Sequence, residues 1–384
     1  MSKKVYIGLM SGTSMDGIDV SAIEIDSHII TEIAHINLPY EDKFKLFARK
    51  IERLFQNSNG IVKENLTDDF EQELTQLHIE AVNQIISSYD LDEITAIGFH
   101  GQTVYHNPQE KLTIQLGDGE LMANKTGIKV ICDFRSNDVL NGGQGAPLAP
   151  IYHMALAQNS NLIPTAVINC GGISNITIIK DNIEDNLIAF DTGPGNILLD
   201  RYIRTQTNNQ EFMDKDAKYA SKGVVNNDIL DLLFQKSIIQ NGENYFDIKY
   251  PKSLCTSNIK LPDEIFKLSI YDACKTLAEF TAITIYNALE EFYIDNMNIV
   301  LVGGGWYNPA IINSLKEKLR NKQANFIDAE EFGSKIDSME SSAFAFLAYR
   351  TLNNLPISFP NTTGISTKMM GGKIYIPNFE YQVI

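Results

Sequence analysis

The chain has 384 residues and a mass of 43.0 kDa, which is more than one small hydrophobic core needs, so we expect about two to three domains. Hydrophobic residues make up 44% of the chain and charged residues 21%, a composition that excludes an intrinsically disordered protein. The 48 acidic and 32 basic residues give a net charge of -16, which repels nucleic acid and anionic membranes. We therefore expect no nucleic-acid and no membrane partner. An anionic ligand needs local groups such as backbone N–H groups or a single Arg.

The start of the chain and its cysteines predict a location. Lys3 and Lys4 precede an apolar stretch that is too short for a signal peptide. No stretch approaches the roughly 20 apolar residues of a membrane span. The four cysteines lie far apart and form no C-x-x-C pair, so we expect reduced, buried thiols in a cytoplasmic protein. The cysteines are Cys132, Cys170, Cys255 and Cys274.

The first part of the chain predicts one α/β half. Residues 5–9 and 18–25 alternate as strands do, and the small polar residues between them predict a hairpin turn. Residues 43–55 and a stretch that begins after Thr67 have helical periodicity, with Thr67 as the expected N-cap. The remaining elements of this half are buried strands at 94–99 and 129–132 and a glycine-rich loop at 141–147.

The same order of elements then starts again. Residues 165–169 and 176–180 predict a second hairpin around a glycine-rich turn, and residues 187–190 predict a third strand. Two α/β halves that each open with a glycine-tipped hairpin indicate a duplicated architecture. The later elements are a helix at 273–292, a strand at 298–302, a turn at 303–305, a helix capped by Asn308 and opened by Pro309, a helix at 339–352 and a short strand at 373–376.

The first hairpin turn has the composition of a phosphate-binding loop. Residues 12–17 supply glycines, hydroxyl side chains and successive backbone N–H groups. Their glycine spacing matches a P-loop, but Ile18 stands where that motif needs Lys and a strand follows instead of a helix, which excludes a P-loop NTPase. An ordinary polar turn is the alternative. A second turn at 171–175 favours phosphate binding, because two such turns could clamp a triphosphate across a cleft, and the third turn at 303–305 lies where open α/β sheets bind nucleotides.

Asp191 follows an apolar strand and precedes Thr-Gly-Pro-Gly-Asn, so we expect its carboxylate at a strand end that opens into a cleft. A carboxylate there can accept a proton from an attacking hydroxyl or water, and partial burial would raise its pKa toward neutral values. The alternative is an Asp that only caps the following turn or helix.

Other polar residues at strand and helix ends are candidate ligands for a sugar or an anion. His100, Gln102 and Thr103 follow one strand, and their side chains suit sugar hydroxyls. Arg135 follows a neighbouring strand and could bind a carboxylate or phosphate, with a surface ion pair as the alternative. Glu340 lies in the first turn of a predicted helix, where it could also only complement the helix dipole.

Residues 7–19, Ile-Gly-Leu-Met-Ser-Gly-Thr-Ser-Met-Asp-Gly-Ile-Asp, closely resemble the signature of the anhydro-N-acetylmuramic acid kinase family. That family is part of the superfamily of sugar kinases, Hsp70 and actin. The matches run in the family's order through nearly the whole chain, which makes the resemblance specific. The further motifs are 100–103 (His-Gly-Gln-Thr), 133–135 (Asp-Phe-Arg), 142–147, 171–175, 190–196, 303–305 and 339–340 (Met-Glu).

The resemblance implies a duplicated actin/hexokinase/Hsp70-like, ribonuclease H-like α/β fold with two domains and an inter-domain cleft. It also implies that ATP phosphorylates O6 of 1,6-anhydro-N-acetylmuramic acid while water opens the anhydro bridge at C1. The product is N-acetylmuramic acid 6-phosphate, which belongs to peptidoglycan recycling. ATP and Mg²⁺ are the implied cofactors, and the family's general base aligns with Asp191.

The resemblance gives each motif an expected function and each domain expected bounds. The metal ligands stay unassigned. The first domain is expected at 1–134 plus 355–384, and the second at 135–354. The expected nucleotide-binding residues are Gly12, Thr13, Ser14, Met15, Asp16, Gly17, Ile18, Asp19, Gly171, Gly172, Asn175, Gly303, Gly304 and Gly305. The expected sugar-binding residues are His100, Gln102, Thr103, Arg135 and Glu340, with Arg135 facing the lactyl carboxylate.

Two alternatives stay open at this point. A conventional hexose or hexosamine kinase would use Asp191 to deprotonate a sugar hydroxyl. A non-enzymatic ATPase scaffold like actin or Hsp70 would use the nucleotide to drive conformational change, but no stretch resembles a peptide-binding domain or a filament contact. The sequence does not give the oligomeric state, and a homodimer stays open.

Overall fold

The computed structural model describes residues 3–12, 15–62, 65–239, 242–254 and 259–378. The chain forms two compact units. Met1–Ser160 and Gly333–Ile384 form the first, and Asn161–Phe332 form the second. Each unit has its own hydrophobic core, so the second unit is a separately packed body inserted into the chain of the first.

Strands and helices alternate along the chain. The first segment of the first unit contains β1 (Lys4–Met10), β2 (Gly17–Asp26), β3 (Ile29–Pro39), α1 (Asp42–Asn57), α2 (Asn65–Tyr89), β4 (Ile94–Phe99), β5 (Gln102–Asn107), β6 (Leu112–Leu116), α3 (Gly119–Thr126), β7 (Val130–Cys132), α4 (Ser136–Leu140) and α5 (Pro150–Asn159). The second unit contains β8 (Thr165–Cys170), β9 (Ile173–Ile179), β10 (Ile188–Pro194), α6 (Ile197–Gln206), α7 (Asn227–Gln235), α8 (Ile270–Glu290), β11 (Asn298–Val302), α9 (Pro309–Lys318) and β12 (Asn325–Ile327). The chain returns to the first unit with α10 (Met339–Leu352), α11 (Pro360–Thr363) and β13 (Lys373–Tyr375).

The large sheets of the two units share one topology. The strand order is β13-β7-β4-β1-β2-β3 in the first unit and β10-β9-β8-β11-β12 in the second. In each sheet the first three strands form an antiparallel meander. The next strand pairs in parallel with the first strand, and the one after it pairs in parallel with that strand. β13 is an extra antiparallel strand at one edge. This shared order confirms the predicted duplicated α/β fold of the ribonuclease H-like class.

Two glycines of the first sheet set its distance from α10. A Cβ atom built on Gly8 in β1 would lie 1.9 Å from the Ser341 carbonyl oxygen, and one on Gly98 in β4 would lie 2.1 Å from the Phe344 carbonyl oxygen. Only glycine permits such an approach of strand and helix backbones. α10 therefore packs into the first unit together with α5, which contacts β3 and α10. The expected bounds of the second domain, 135–354, place both helices in that domain instead.

The observed elements differ from the predicted ones in three further places. The helix expected after Thr67 begins at Asn65, so Thr67 lies within its first turn and is not its N-cap. Asp191 does not end its strand, because β10 continues through a bulge to Pro194. The sequence prediction lacks β3 and the hairpin of β5 and β6.

Cys132, Cys170 and Cys274 are buried free thiols, as the sequence predicts, and Cys255 lies outside the described residues. Burial raises the pKa of the Cys132 and Cys170 thiols to about 12, so neither forms a reactive thiolate near neutral pH. None of the described helices is both long and apolar enough to cross a membrane.

Candidate active site

Three parallel strands of the first unit end at one edge of its sheet. β1 leads into Ser11, β4 into His100, and β7 into the segment that ends at Arg135. The backbone N–H of His100 donates to the Leu9 carbonyl oxygen at 3.3 Å and ties the ends of β1 and β4 together. Because the carboxyl ends of parallel strands share an edge, three of the predicted motifs meet there.

Arg135 and His100 form a hydrogen-bonded pair at this edge. Arg135 Nε donates to His100 Nε2 at 3.1 Å, and Arg135 Nη1 donates to the Gly145 carbonyl oxygen at 2.7 Å. His100 Nδ1 lies 2.8 Å from the Gly101 carbonyl oxygen. Since Nε2 accepts, the ring carries its proton on Nδ1 and donates it to that carbonyl. His100 thus orients Arg135 and has no nitrogen left for a sugar hydroxyl.

Arg135 and Glu340 belong to one electrostatic cluster. The Arg135 guanidinium lies 5.9 Å from the centre of the Phe344 ring, and burial lowers its pKa to about 10 while Glu340 and Asp138 oppose that shift. Burial raises the pKa of the Glu340 carboxyl, Arg135 opposes the rise, and Asp19 adds to it. Glu340 keeps a solvent-exposed surface. The Glu340 carboxyl therefore lies close to other charged groups of the protein, and the residue still has surface that a ligand can contact.

Asp138 shapes the glycine-rich loop that faces Arg135. Its Oδ1 accepts from the Gly145 N–H at 2.6 Å, and its Oδ2 accepts from the Thr363 hydroxyl at 2.5 Å. A Cβ atom on Gly143 would lie 2.1 Å from Asp138 Oδ1, so the loop closes around this carboxylate only with glycine. These contacts fix the Gly145 carbonyl that accepts from Arg135.

A buried chain of hydroxyls anchors the first glycine turn. The Tyr40 hydroxyl donates to Ser11 Oγ at 3.0 Å, and the Ser11 hydroxyl donates to Gln102 Oε1 at 2.7 Å. The Met15 N–H donates to the Gly12 carbonyl oxygen at 3.2 Å and closes the turn. Gln102 therefore supports the turn through its amide oxygen. Two predicted residues of this turn, Thr13 and Ser14, lie outside the described residues.

Asp19 and Thr103 are half-buried, and an amide side chain holds each of them. Asn37 Nδ2 donates to Asp19 Oδ1 at 2.8 Å, and Gln115 Nε2 donates to Thr103 Oγ1 at 3.3 Å. No cluster of three or more His, Cys, Asp or Glu side chains that could hold a metal ion occurs within the described ranges. Mg²⁺ bound with a nucleotide needs only one or two carboxylates besides the phosphates, so the Asp19 carboxylate fits that use.

A row of polar side chains crosses the sheet of the second unit. Asn169 in β8 pairs with Asn175 in β9, and Asn175 pairs with Asp191 in β10. Directly paired residues project from the same face of a sheet, so two amides and one carboxylate lie in line. The row ends at the third glycine turn, where a Cβ atom on Gly303 would lie 2.2 Å from Asn169 Oδ1. The structure thus brings three predicted residues together and adds Asn169.

The segment 245–254 holds Asp191. Asp191 Oδ2 accepts from the Leu254 N–H at 2.7 Å, and the Asp191 N–H donates to the Lys252 carbonyl oxygen at 3.0 Å. The Tyr245 hydroxyl donates to the Asp191 carbonyl oxygen. Burial raises the pKa of the Asp191 carboxyl to about 7, against the opposing effects of the Leu254 hydrogen bond and the Lys252 charge. This carboxyl can exchange a proton at neutral pH.

Packing requires only some of the glycines in the turns of the second unit. Gly303 has a φ of 92°, and a Cβ atom on Gly305 would lie 2.4 Å from Cys170 Sγ, so both positions need glycine. A Cβ atom on Gly304 would meet nothing within 4 Å, and one on Gly172 nothing closer than 4.0 Å. Gly172 and Gly304 therefore face open space.

The turn at Gly171 and Gly172 is fastened to the start of α6. The carbonyl oxygen of Gly171 accepts from the Asn196 N–H at 2.8 Å, and that of Gly172 accepts from the Gly195 N–H at 2.9 Å. A Cβ atom on Gly195 would lie 2.1 Å from the Gly171 carbonyl oxygen. The N–H groups of Gly195 and Asn196 are thus engaged by the turn, and any anion at this turn must use other donors.

The residues that contact the predicted site residues are harder to identify from the sequence than the site residues themselves. Asn169 has one usable signal, because it is a polar residue at the end of an apolar strand just before a glycine turn. Tyr245, Lys252 and Leu254 have none, because they lie 54 to 63 residues from Asp191 and contact it mostly through backbone groups.

The family model and the full-length relatives agree on one family. The family model for anhydro-N-acetylmuramic acid kinase matches residues 4–377. Proteins named anhydro-N-acetylmuramic acid kinase from Zymomonas mobilis and Agrobacterium fabrum are 38% and 36% identical to this chain. Both alignments cover 96% of this chain, with 99% and 98% of the respective relatives. Among solved structures, component A of (R)-2-hydroxyglutaryl-CoA dehydratase from Acidaminococcus fermentans is similar with a TM-score of 0.42 and 11% identity, over 89% of this chain and 98% of that one. On the family match and the full-length relatives, the chain belongs to the anhydro-N-acetylmuramic acid kinase family.

Proposed function

We propose that this protein is a cytoplasmic kinase that converts 1,6-anhydro-N-acetylmuramic acid, ATP and water into N-acetylmuramic acid 6-phosphate and ADP, as a step of peptidoglycan recycling. The observation that carries this proposal is the family match, which spans residues 4–377 and extends to full-length relatives. The described residues support it, because they offer a carboxyl that titrates near neutral pH and a half-buried cation suited to an acidic sugar.

Asp191 is the base in the proposed reaction. A water molecule attacks C1 of the sugar and gives one proton to the Asp191 carboxylate, while the bond between C1 and O6 breaks. The freed O6 oxygen attacks the γ-phosphorus of ATP, and ADP leaves. A pKa of about 7 suits this function, because the carboxylate is populated at neutral pH and is basic enough to accept the proton.

Arg135 binds the lactyl carboxylate of the sugar in this proposal. Two of its nitrogens donate to His100 and to the Gly145 carbonyl oxygen, which fixes the plane of the guanidinium. Since a guanidinium has five N–H donors, others remain for a carboxylate. Glu340 and Thr103 contact the sugar hydroxyls. His100 acts through Arg135.

The glycine turns bind the nucleotide in this proposal. The turn at 12–19 binds the β- and γ-phosphates through backbone N–H groups and hydroxyls, and Gln102 supports that turn from behind. The turn at 171–172 and Asn175 also contact the phosphates, and the turn at 303–305 contacts the adenosine. The open space at Gly172 and Gly304 supports this assignment. Asp19 would hold Mg²⁺ together with the phosphates, and Mg²⁺ neutralises charge that develops during phosphoryl transfer.

Isotope labelling tests the proposal. The protein is incubated with ATP, Mg²⁺ and the anhydro sugar in ¹⁸O-water, and the sugar product is analysed by fragmentation mass spectrometry. We expect ¹⁸O at C1 and a phosphate at O6 in the same molecule. One control omits ATP. Because the anomeric oxygen of a free sugar exchanges with water, N-acetylmuramic acid incubated for the same time gives the background.

Two results would overturn the proposal. A phosphorylated product that keeps its anhydro bridge would identify a conventional sugar kinase. Hydrolysis of ATP with no change in the sugar would identify an ATPase that does not act on this substrate.

A further inference from the structure

A closed ring of contacts links Asp191 to two residues on the segment 245–254. The Asp191 N–H donates to the Lys252 carbonyl oxygen at 3.0 Å. Lys252 Nζ donates to the Tyr245 carbonyl oxygen at 3.2 Å and lies 4.5 Å from the centre of the Tyr245 ring. The Tyr245 hydroxyl donates back to the Asp191 carbonyl oxygen. The ring of contacts therefore depends on the Lys252 side chain for one of its links.

The positive charge of Lys252 lies among carboxylates. Burial lowers the pKa of the Lys252 ammonium, and Glu291, Asp247 and Asp191 oppose that shift. On the Asp191 side, burial raises the pKa of the carboxyl, and the Leu254 hydrogen bond and the Lys252 charge oppose that rise. Tyr245 is fully buried, and burial raises the pKa of its hydroxyl far above the ordinary value, so it stays neutral and adds no charge.

We propose that Lys252 is a positioning residue for the reaction: its carbonyl oxygen and its side chain, through Tyr245, hold Asp191 in place, and its ammonium is thereby kept near the reacting carboxyl. This inference rests on the proposed function of Asp191 as the base. Lys252 belongs to no recognisable motif, and it lies 61 residues from Asp191 along the chain.

Removal of the charge without loss of the stem tests the inference. In Lys252→Met, we expect the acidic limb of the pH profile of kcat/KM to move up by about one pH unit, because an opposite charge nearby lowers a carboxyl pKa by about that much or more. The loss of activity should then be about tenfold at pH values below the wild-type limb and close to zero on the alkaline plateau. Lys252→Arg should restore the wild-type limb.

Two matched variants separate charge from structure. Lys249→Met removes an exposed lysine from the same segment and should leave the pH profile unchanged. Tyr245→Phe keeps the ring under Lys252 and removes only the hydroxyl, so it should lower the melting temperature and leave the acidic limb in place. Melting temperatures and ATP binding are measured for every variant.

The outcomes distinguish the inference from the proposal on which it rests. If Lys252→Met loses activity equally at all pH values, or moves the limb no more than Lys249→Met does, the inference is wrong. If Asp191→Asn keeps wild-type turnover, the assignment of Asp191 as the base is wrong, whatever the lysine variants do. A shifted limb that Lys252→Arg restores, together with an inactive Asp191→Asn, supports both.

Discussion

Each of the two duplicated sheets pairs an Asp with an Asn at the same position, but the two residues lie on exchanged strands. In the first unit, Asp19 is the third residue of β2 and pairs with Asn37 on β3. In the second unit, Asn175 is the third residue of β9 and pairs with Asp191 on β10. The duplicated scaffold therefore presents one carboxylate and one amide from each sheet, on exchanged strands.

The surroundings of these two carboxylates differ more than their places in the sheet. Asn37 donates to Asp19 Oδ1 at 2.8 Å and His35 Nε2 lies 3.7 Å from the same oxygen, so both contacts come from the neighbouring strand β3. Asp191 instead accepts from the Leu254 N–H, outside the sheet, and burial raises its pKa to about 7. Under the proposed function, hydrogen bonding and burial would therefore separate a carboxylate that binds a charged ligand from one that accepts a proton.

The largest expected effect tests the second carboxylate. Asp191→Asn should lower kcat by about 10²- to 10⁴-fold, the usual contribution of a general base, while ATP binding stays near wild type. Steady-state kinetics and a nucleotide-binding titration check this. A fall in kcat of less than about tenfold would show that another group accepts the proton.

The next effect tests the charge of the first unit. Arg135→Lys keeps the positive charge but loses the fork that donates to His100 and Gly145, so the KM for the acidic sugar should rise about 10- to 100-fold. The expected change in kcat is much smaller. An anhydro sugar without the lactyl group is the matched substrate, and an equal rise in its KM would contradict contact between Arg135 and the carboxylate.

The pH dependence contrasts the two carboxylates directly. Because the raised pKa of Asp191 leaves it protonated below about pH 7, and a protonated carboxyl cannot accept a proton, kcat/KM should fall about tenfold per pH unit below that value. Asp19→Asn should raise the KM for ATP with Mg²⁺ and keep this acidic limb unchanged. Loss of the limb in Asp19→Asn would reverse the assignment of the two carboxylates.

The smallest effect tests the histidine behind Arg135. His100→Ala removes the acceptor of Arg135 Nε, and one such hydrogen bond corresponds to about a fivefold rise in the KM for the sugar. His100→Gln offers an amide oxygen at a similar reach and should recover part of the loss. Burial, and then the Arg135 charge, hold the pKa of His100 well below 6.5, so neither variant should move the acidic limb. A moved limb would indicate that His100 itself titrates during turnover.

Elements with a buried, regular pattern could be predicted from the sequence. The strand Ile94–Phe99 and the helix Met339–Leu352 have the predicted bounds, because their apolar residues are nearly all buried. In β3, by contrast, only Ile30 and Ala34 are buried, since this strand lies at the sheet edge and its other side chains are partly or fully exposed. An edge strand with so few buried residues lacks the alternation that reveals a strand.

One part of the candidate site could likewise be predicted from the sequence, and another part could not. Arg135 and Asp191 follow from motifs at strands, whereas the contacts that set their properties come from distant segments. Leu254 acts through a backbone N–H that any residue except proline supplies, so its identity carries no signal. The sequence predicts that His100 contacts the sugar, whereas the geometry of its two nitrogens pairs it with Arg135 and the Gly101 carbonyl.

Gly8 and Gly98 have a mechanical consequence for the first unit. They let α10 rest backbone to backbone on β1 and β4, with no flexible side chain between helix and sheet to absorb a displacement. β1 leads directly into Ser11 and the first glycine turn, and α10 carries Glu340 in its first turn. A displacement of one of these elements therefore passes to the other with little loss. The strand end that leads to Ser11 and the helix start that carries Glu340 are thus coupled through close backbone contacts at Gly8 and Gly98.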